Sequence, residues 1–476
     1  MKSIYKITFV AIATITLQSC IATKDYQKPD IEQRPLLNQS TIISTTKVLY
    51  DSTEQQILPW REIFTNSTLQ NHIETALTNN TDLRMALENI KQAEAYQQQG
   101  RAGYLPTFNV GTNYTHSVNS INTQFGRILG QRQRLDQFDI TANLGWEADI
   151  WGKITSKKLA AEATYLQTVA THQAIQTELI AMVASSYYNI LALTEQRTIL
   201  RKTLANRSLT LRTNKALKEA GRVTEVAVQQ SEAQVLSVEA MLLDIDTAIK
   251  VQENSMSILM GGFPDSILRD SFTFNNSSKP LENSLKDGLS INVLHNRPDV
   301  LAAELGFRNA FELTNVAKAS FYPTLRLTAS GGLQSVDFEK LFDPTSFFAS
   351  IIGGIAQPVL NGRQIRTQYE VSLSNQEKAF LNYKQTVLNA SKEISDALYS
   401  IENNTKKIAL KKQEADAYKK AVEYSQELLN NGMASYLEVL TATESELNAQ
   451  LSIINTQYDL WNAHIQLYKA IGGGVE

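Results

Sequence analysis

The chain has 476 residues, 43% of them hydrophobic, and its 45 basic and 48 acidic side chains give a net charge of −3. Charges of both signs are mixed along the chain, so nothing in the charge pattern suggests nucleic-acid binding. The five histidines are scattered, and no nucleophile motif or phosphate-binding loop is present. We therefore predict no enzyme activity, no metal site and no cofactor.

The N-terminus has the pattern of a secretory signal, with Lys2 and Lys6 before an apolar run at 7–17. This pattern predicts a signal peptide over residues 1–19. The single cysteine, Cys20, follows Leu-Gln-Ser in a sequence that resembles a bacterial lipobox, where the thiol is acylated. We predict lipidation at Cys20. The alternative is an unlipidated signal peptide with an unrelated cysteine.

Residues 20–56 are polar and contain Pro29 and Pro35, which predicts an extended strap leading from the anchor. No later apolar run approaches the roughly 20 residues that a transmembrane helix needs.

An internal repeat is visible in the glycine spacing of the remaining chain. Glycines 152, 221 and 261 are separated by 69 and 40 residues, and glycines 362, 432 and 472 by 70 and 40. No other glycine and no proline interrupts these four stretches. Because both residue types break helices, the stretches predict long helices that turn at Gly221 and Gly432.

Residue identities support the same duplication. Asp82 and Pro106 recur as Asp299 and Pro323 at an offset of 217, and AGRVTEV at 220–226 aligns with NGMASYL at 431–437 at an offset of 211. Each half therefore predicts a helix, two strands, a very long helix, a tight turn and a long helix. The first repeat covers residues 57–262, the connector 263–297 and the second repeat 298–476.

The segment NRPDV at 296–300 predicts the start of a helix and not a chemical site. Asn296 is a favourable N-cap, Pro298 suits the first turn and Asp299 favours the helix dipole.

Each half carries two segments with alternating polarity, near 107–117 and 136–147 and near 324–334 and 347–357. An apolar face opposite a polar face is typical of a strand in a membrane β-barrel. Aromatic residues lie where the strands meet the helices, as at a membrane interface: Tyr104, Trp146, Trp151, Phe321 and Tyr322. The alternative is a soluble helical protein with two β-hairpin inserts.

Three segments together resemble the outer-membrane factor family, the TolC-like efflux ducts, and its lipoprotein branch in particular. They are 58–95, NRPDVLAAE at 296–304 and NGMASYLEVLTATESELNAQ at 431–450. The resemblance covers nearly the whole chain after the signal peptide. It implies a mainly α protein with membrane β structure. It further implies that long helical hairpins form a periplasmic tube and that four strands per protomer contribute to a trimeric 12-stranded β-barrel.

The resemblance also implies a function. The chain would form a homotrimeric, lipid-anchored channel in the outer membrane, part of a tripartite efflux or secretion system. It would give a gated passive exit duct from a periplasmic adaptor protein and an inner-membrane pump to the outside. A lipid-anchored coiled-coil scaffold or adhesin of the cell surface is the alternative.

Two sets of site residues follow from the family's hairpin tips. The channel constriction maps onto Leu437, Glu438 and Thr441, and the adaptor-docking tips map onto Gly221, Thr224, Gly432 and Ser435. Glu438 is otherwise a solvated helix carboxylate, and Leu437 is otherwise a packing residue between helices. Thr441 stands where many relatives carry an aspartate, so the resemblance implies one carboxylate ring and not two.

Replacing Cys20 by serine should abolish labelling by a fatty-acid analogue, because serine lacks the thiol that is acylated. The variant should still insert into the outer membrane, since strand closure contributes membrane affinity separately from the lipid. Metabolic labelling of the wild type and of Cys20→Ser checks this prediction. Labelling that persists in the variant would contradict the lipobox assignment.

Overall fold

The computed structural model describes residues 22–29, 59–269, 294 and 297–474. The predicted signal peptide, Cys20, and most of the strap and of the connector lie outside the described residues. The contacts between residues divide the chain into two compact units, each built from both halves of the sequence. One unit comprises Met1–Asp30, Ile90–Gln167 and Ala303–Tyr383, and the other Ile31–Asn89, Thr168–Ala302 and Lys384–Glu476.

Within the described residues, the first half contains six helices and two strands: α1 (Trp60–Ile63), α2 (Ser67–Asn79), α3 (Thr81–Ala102), β1 (Thr107–Asn119), α4 (Gln124–Leu129), β2 (Gln133–Ala148), α5 (Lys153–Glu219) and α6 (Glu225–Leu259). The second half contains α7 (Pro298–Ala319), β3 (Thr324–Ser335), two single 3₁₀ turns at 338–340 and 344–346, β4 (Phe347–Ala356), α8 (Gln364–Asn430) and α9 (Tyr436–Ala470). Among the described helices, none is both long enough and apolar enough to cross a membrane.

Corresponding helices in the two halves have equal lengths. Helices α3 and α7 each have 22 residues, α5 and α8 each have 67, and α6 and α9 each have 35. A helix of that greatest length extends about 100 Å, since each residue adds about 1.5 Å. The offset is 217 for the first pair and 211 for the other two. The duplication seen in the sequence is therefore also present in the backbone.

The second half has one extra residue, Arg363, between the glycine and the start of the long helix. Gly152 (φ 72°) directly precedes α5, whereas Gly362 (φ 60°) is followed by Arg363 (φ 67°) before α8 begins. A left-handed conformation costs a non-glycine residue roughly 1–2 kcal/mol. The Arg363 guanidinium donates to both carboxylate oxygens of Glu370, at 3.2 and 3.1 Å.

The four strands form one antiparallel sheet in the order β1-β2-β3-β4. Strand β2 pairs with β3 as well as with β1, so the hairpins β1–β2 and β3–β4 join in one sheet. The register places apolar and polar residues in alternate rows across β1, β2 and β3, whereas β4 places Phe348 and Ile352 in the polar rows. One apolar row is Phe108, Leu144, Ala329 and Ile351, and the polar row beside it is Asn109, Asn143, Ser330 and Ser350.

Aromatic residues fix the ends of the strands to the start of the long helices. The Trp151 indole donates to the carbonyl of Pro323 at 2.7 Å, and its ring stacks on Tyr322 with centroids 4.9 Å apart. The Trp146 indole donates to the carbonyl of Tyr104 at 2.9 Å. Each indole N–H thus has a partner although it lies beside apolar rings, an arrangement suited to a membrane interface.

The described part of the strap, residues 22–29, lies along α7. The Asn315 side chain receives the Lys24 backbone N–H at 3.1 Å and donates to the Lys24 carbonyl at 2.8 Å. The Lys28 ammonium contacts the Glu304 carboxylate at 2.6 Å. The Tyr26 ring packs on two phenylalanines of the same helix. The strap segment is therefore bound to this unit through its backbone, one charge and one ring.

The NRPDV segment begins helix α7, and its arginine connects that helix to two others. The buried Arg297 guanidinium donates to Asp299 at 2.8 Å, to Glu393 on α8 at 2.7 Å and to the Ala470 carbonyl at the end of α9 at 2.8 Å. Burial acts to raise the pKa of Asp299, but the hydrogen bonds and charge of Arg297 outweigh it and hold that pKa below its usual range. Asn296 lies outside the described residues.

The two faces of β2 should respond differently to a charge. Leu144→Arg introduces a charge into the apolar row, where facing lipid costs about 2–4 kcal/mol at mid-membrane, so the yield of assembled trimer should fall several-fold. Asn143→Arg places the same charge in the polar row and should assemble normally. Heat-modifiable migration of the outer-membrane fraction measures both yields. The reverse ranking would show that the polar row faces lipid.

Arg297→Gln should lower the stability of the protein, most clearly at neutral pH. The folded pKa of Asp299 is depressed, so its contribution is present above the unfolded value of about 4 and is lost as the pH falls below it. The substitution should cost on the order of 2 kcal/mol, reduced because both carboxylates remain partly solvated. Thermal unfolding of the purified trimer between about pH 3 and pH 7 tests this. If acid lowers the stability of Arg297→Gln as much as that of the wild type, the pairing of Arg297 with Asp299 is contradicted.

Candidate functional site: the hairpin tips

Both hairpin tips turn through the same backbone motif. In the first, Gly221 has φ 71°, its N–H donates to the Lys218 carbonyl at 2.8 Å, and the next N–H donates to the Leu217 carbonyl at 2.8 Å. In the second, Gly432 has φ 70°, and the equivalent bonds to the carbonyls of 429 and 428 measure 3.0 and 2.8 Å. This Schellman motif needs a left-handed residue, which glycine adopts without steric penalty.

The residues after each turn differ between the tips. Thr224 and Ser435 occupy the N-cap positions of α6 and α9, and neither side chain caps the backbone of its helix. At the first tip, a hydrogen bond and ion pair from Lys218 hold the pKa of the exposed Glu225 below its usual range. At the second tip, the Ser435 hydroxyl donates to the Glu438 carboxylate at 3.3 Å.

A hydroxyl network fixes the start of α9 against α5 and α6. The Ser231 hydroxyl donates to the Ala227 carbonyl at 2.7 Å and accepts from the Asn214 amide at 2.7 Å. Its remaining contact, 2.7 Å from the Tyr436 hydroxyl, must therefore be a bond that Tyr436 donates. Tyr436 thus sets the orientation of the first turn of α9.

The three predicted constriction residues share one exposed face of α9. Leu437 is 57% exposed, and Glu438 and Thr441 are also exposed, whereas Val439 is buried on the opposite side. Leu437 therefore does not pack between helices of its own protomer. It is the single apolar side chain among the exposed residues of α9, which are Leu437, Glu438, Thr441, Asn448, Asn455, Asp459 and Gln466.

The predicted docking residues lie at the two separate tips, and all four are exposed. Sequence reasoning missed the ion pair that secures the same region, in which Arg207 on α5 donates to Glu444 on α9 at 2.8 Å. Nothing in the sequence spacing signals this pair, because 237 residues separate its members. Within the described ranges, no group of three histidine, cysteine, aspartate or glutamate side chains is placed to hold a metal ion.

Two long helical hairpins with glycine turns, together with a four-stranded antiparallel sheet whose first three strands alternate apolar and polar residues, define the chain as a subunit of a membrane channel. Comparison with known proteins identifies the family of membrane channels to which it belongs. The profile of the family described as Outer membrane efflux protein matches residues 72–262 and 289–473, one match in each half. The chain belongs to this family.

Individual relatives match along most of the chain. The cation efflux system protein CusC of Escherichia coli (strain K12) is 26% identical over 97% of each chain. The toluene efflux pump outer membrane protein TtgI of Pseudomonas putida is 28% identical over 87% of each chain. A crystal structure of CusC superposes with a TM-score of 0.82 at 25% identity, covering 95% of this chain and 99% of that one.

The protein is therefore an outer-membrane efflux channel and not an enzyme. It is a trimer that works with a periplasmic adaptor and an inner-membrane pump, and its helical part lies in the periplasm. Membership of this family replaces the alternative of a cell-surface scaffold or adhesin.

Proposed function

We propose that Leu437, Glu438 and Thr441 of three protomers form the constriction that gates this duct. The observation that carries the proposal is their common exposed face on α9, immediately beside a glycine turn. Tyr436 binds the opposite side of the same helix to Ser231 of α6, and Glu444, one turn beyond Thr441, binds Arg207 of α5. In a trimer, three copies of this face directed at one axis would give a ring of leucines and a ring of carboxylates.

The four tip residues Gly221, Thr224, Gly432 and Ser435 are proposed to dock the periplasmic adaptor. Their support is chemical and steric, since glycine and small hydroxyl side chains allow a partner helix to approach the backbone closely. Thr224 is exposed and does not cap its own helix, so its hydroxyl can serve a partner.

Broad cargo fits this duct better than one dedicated substrate. CusC is named for cation efflux and TtgI for toluene efflux, although both match most of this chain. Beyond the constriction, the exposed residues of α9 are amide and carboxylate side chains that do not select an apolar solute. We propose that the pump selects the cargo and that this protein supplies a passive path.

We further propose that Cys20 carries the lipid anchor and that residues 20–56 form the strap that follows it. The repeats are assigned to 57–262 and 298–476, with a connector at 263–297. The bonds between residues 22–29 and α7 support this proposal, because the described segment begins two residues after the predicted anchor.

Glu438→Ala should reduce cation selectivity and block by multivalent cations in planar bilayers. Three carboxylates that converge on one axis attract cations, and their removal takes away that field. Trimer yield should not change, since Glu438 is exposed and its side chain makes one 3.3 Å contact with Ser435. Leu437→Gly should instead raise conductance and sensitise cells to large antibiotics, because the leucine side chain narrows the lumen.

Glu446→Ala is the matched control for the loss of charge. Glu446 lies about two turns further along α9, and its carboxylate accepts a hydrogen bond from Gln450 at 3.0 Å. Its removal should leave selectivity and block unchanged. If Glu446→Ala reduces both while Glu438→Ala matches the wild type, the constriction lies further along the helix than we propose.

A further inference from the structure

Helix α6 carries a row of apolar side chains that its own protomer leaves uncovered. Leu236, Leu243, Val251 and Ile258 are 58 to 70% exposed. They are spaced seven, eight and seven residues apart, so they lie along one side of the helix. We call these four residues the α6 stripe. Such a row is typical of a helix that packs against a partner.

The second repeat shows what covers such a row. At the offset of 211, Leu236 and Leu243 correspond to Leu447 and Ile454 on α9, which are only 3% and 4% exposed. Leu447 packs in a cluster with Leu200 of α5 and Val238 of α6. At two of the four stripe positions, the equivalent side chain of the second repeat is thus buried within the protomer.

We infer that the α6 stripe packs against α8 and α9 of a second copy of this chain. In this contact α6 takes the place that α9 has within one protomer, and α8 and α9 of the second copy take the places of α5 and α6. The inference rests on the trimeric duct. A ring of three duplicated chains contains six repeats, so each repeat has another repeat on both sides. The contact from first to second repeat lies within a chain, and the contact from second to first repeat must join two chains.

The repeat offset of 211 identifies, for each contact between repeats within the chain, the equivalent residues expected to meet between subunits. Inside the protomer, the Gln196 amide on α5 donates to the Asn455 side chain on α9 at 2.6 Å. The corresponding residues are Lys407 on α8 and the partner subunit's Asp244 on α6. Both are exposed, and the structure gives neither an ion pair within the described chain. The internal hydrogen bond thus becomes a pair of opposite charges between subunits.

A second contact within the protomer also has an equivalent pair of residues between subunits. The Tyr188 ring of α5 stacks on Trp461 of α9, with centroids 4.4 Å apart. The corresponding residues are Tyr399 on α8, 61% exposed, and the partner subunit's Lys250. A lysine over a tyrosine ring is a favourable cation–π pair.

Helix α8 also supplies apolar surface for the stripe. Leu388 and Leu410 are exposed on it, and Leu410 is equivalent to Ile199, which packs against the internal cluster around Leu447. Complementary charge and apolar area both favour a second copy of this chain over a lipid or an unrelated protein as the occupant of the stripe.

Cysteine pairs test the contact in the full-length channel. Lys407→Cys with Asp244→Cys, treated with a short bifunctional maleimide in membranes, should give crosslinked dimers and trimers on a denaturing gel. The parent chain, whose single cysteine is Cys20, gives the background. The matched control is Lys406→Cys with Asp246→Cys, neighbouring residues whose side chains pair with Glu402 and Arg197 inside the protomer. That control should crosslink at least several-fold less.

Charge reversal gives an independent readout. Asp244→Lys or Lys407→Asp alone should reduce the heat-resistant trimer several-fold through like-charge repulsion, and the two together should restore it. Failure of both the crosslink and the restoration in a chain that still forms trimers would overturn this interface while leaving the duct intact. A wild-type chain that an amine-reactive crosslinker captures only as monomer would overturn the trimer and the interface together.

Discussion

The unpaired edges of the sheet set the constraint on which the rest of the structure depends. Strands β1 and β4 end the described four-stranded sheet, and no other described strand pairs with their outer edges. In hydrocarbon, each unsatisfied backbone group costs several kcal/mol, so an open edge cannot persist there. The sheet must therefore pair with copies of itself. Three protomers supply twelve strands, and their closure into one barrel satisfies the backbone of every strand.

Ring closure explains why the two hairpins expose different surfaces. The exposed residues of α9 are polar apart from Leu437, as expected of a helix with one side towards water. Helix α6 instead exposes leucine, valine and isoleucine, which soluble helices bury. The isolated protomer therefore exposes an apolar surface that is removed from water only when another protomer packs against it. The residue pattern of α6 and the open edges of the sheet demand the same assembly for different physical reasons.

Backbone features could be predicted from the sequence much better than side-chain contacts. The helix ends at Gly221 and Gly432 were predictable because only glycine adopts a left-handed turn without a penalty, and both have φ near 70°. Strands β1 and β2 were visible in their alternation, whereas the Gly-rich β3 and β4 gave a weaker pattern. The three-way role of Arg297 was not predictable, since its partners on α8 and α9 are 96 and 173 residues away. The constriction and docking assignments came from resemblance, and they stay predictions.

The divergence of the two repeats follows from covalent linkage. Within a chain, the contact between repeats holds an ion pair, Arg207 with Glu444. The equivalent positions in the contact between chains are Tyr418 and Ala233, which cannot form one. Identical repeats would make both contacts alike, and a first repeat could then bind another first repeat as well as a second repeat. Different residues at equivalent positions remove that ambiguity, because Arg207 of one first repeat would lie buried opposite Ala233 of another without a countercharge. Specific pairing of this kind lets a duplicated chain assemble into a ring of fixed order.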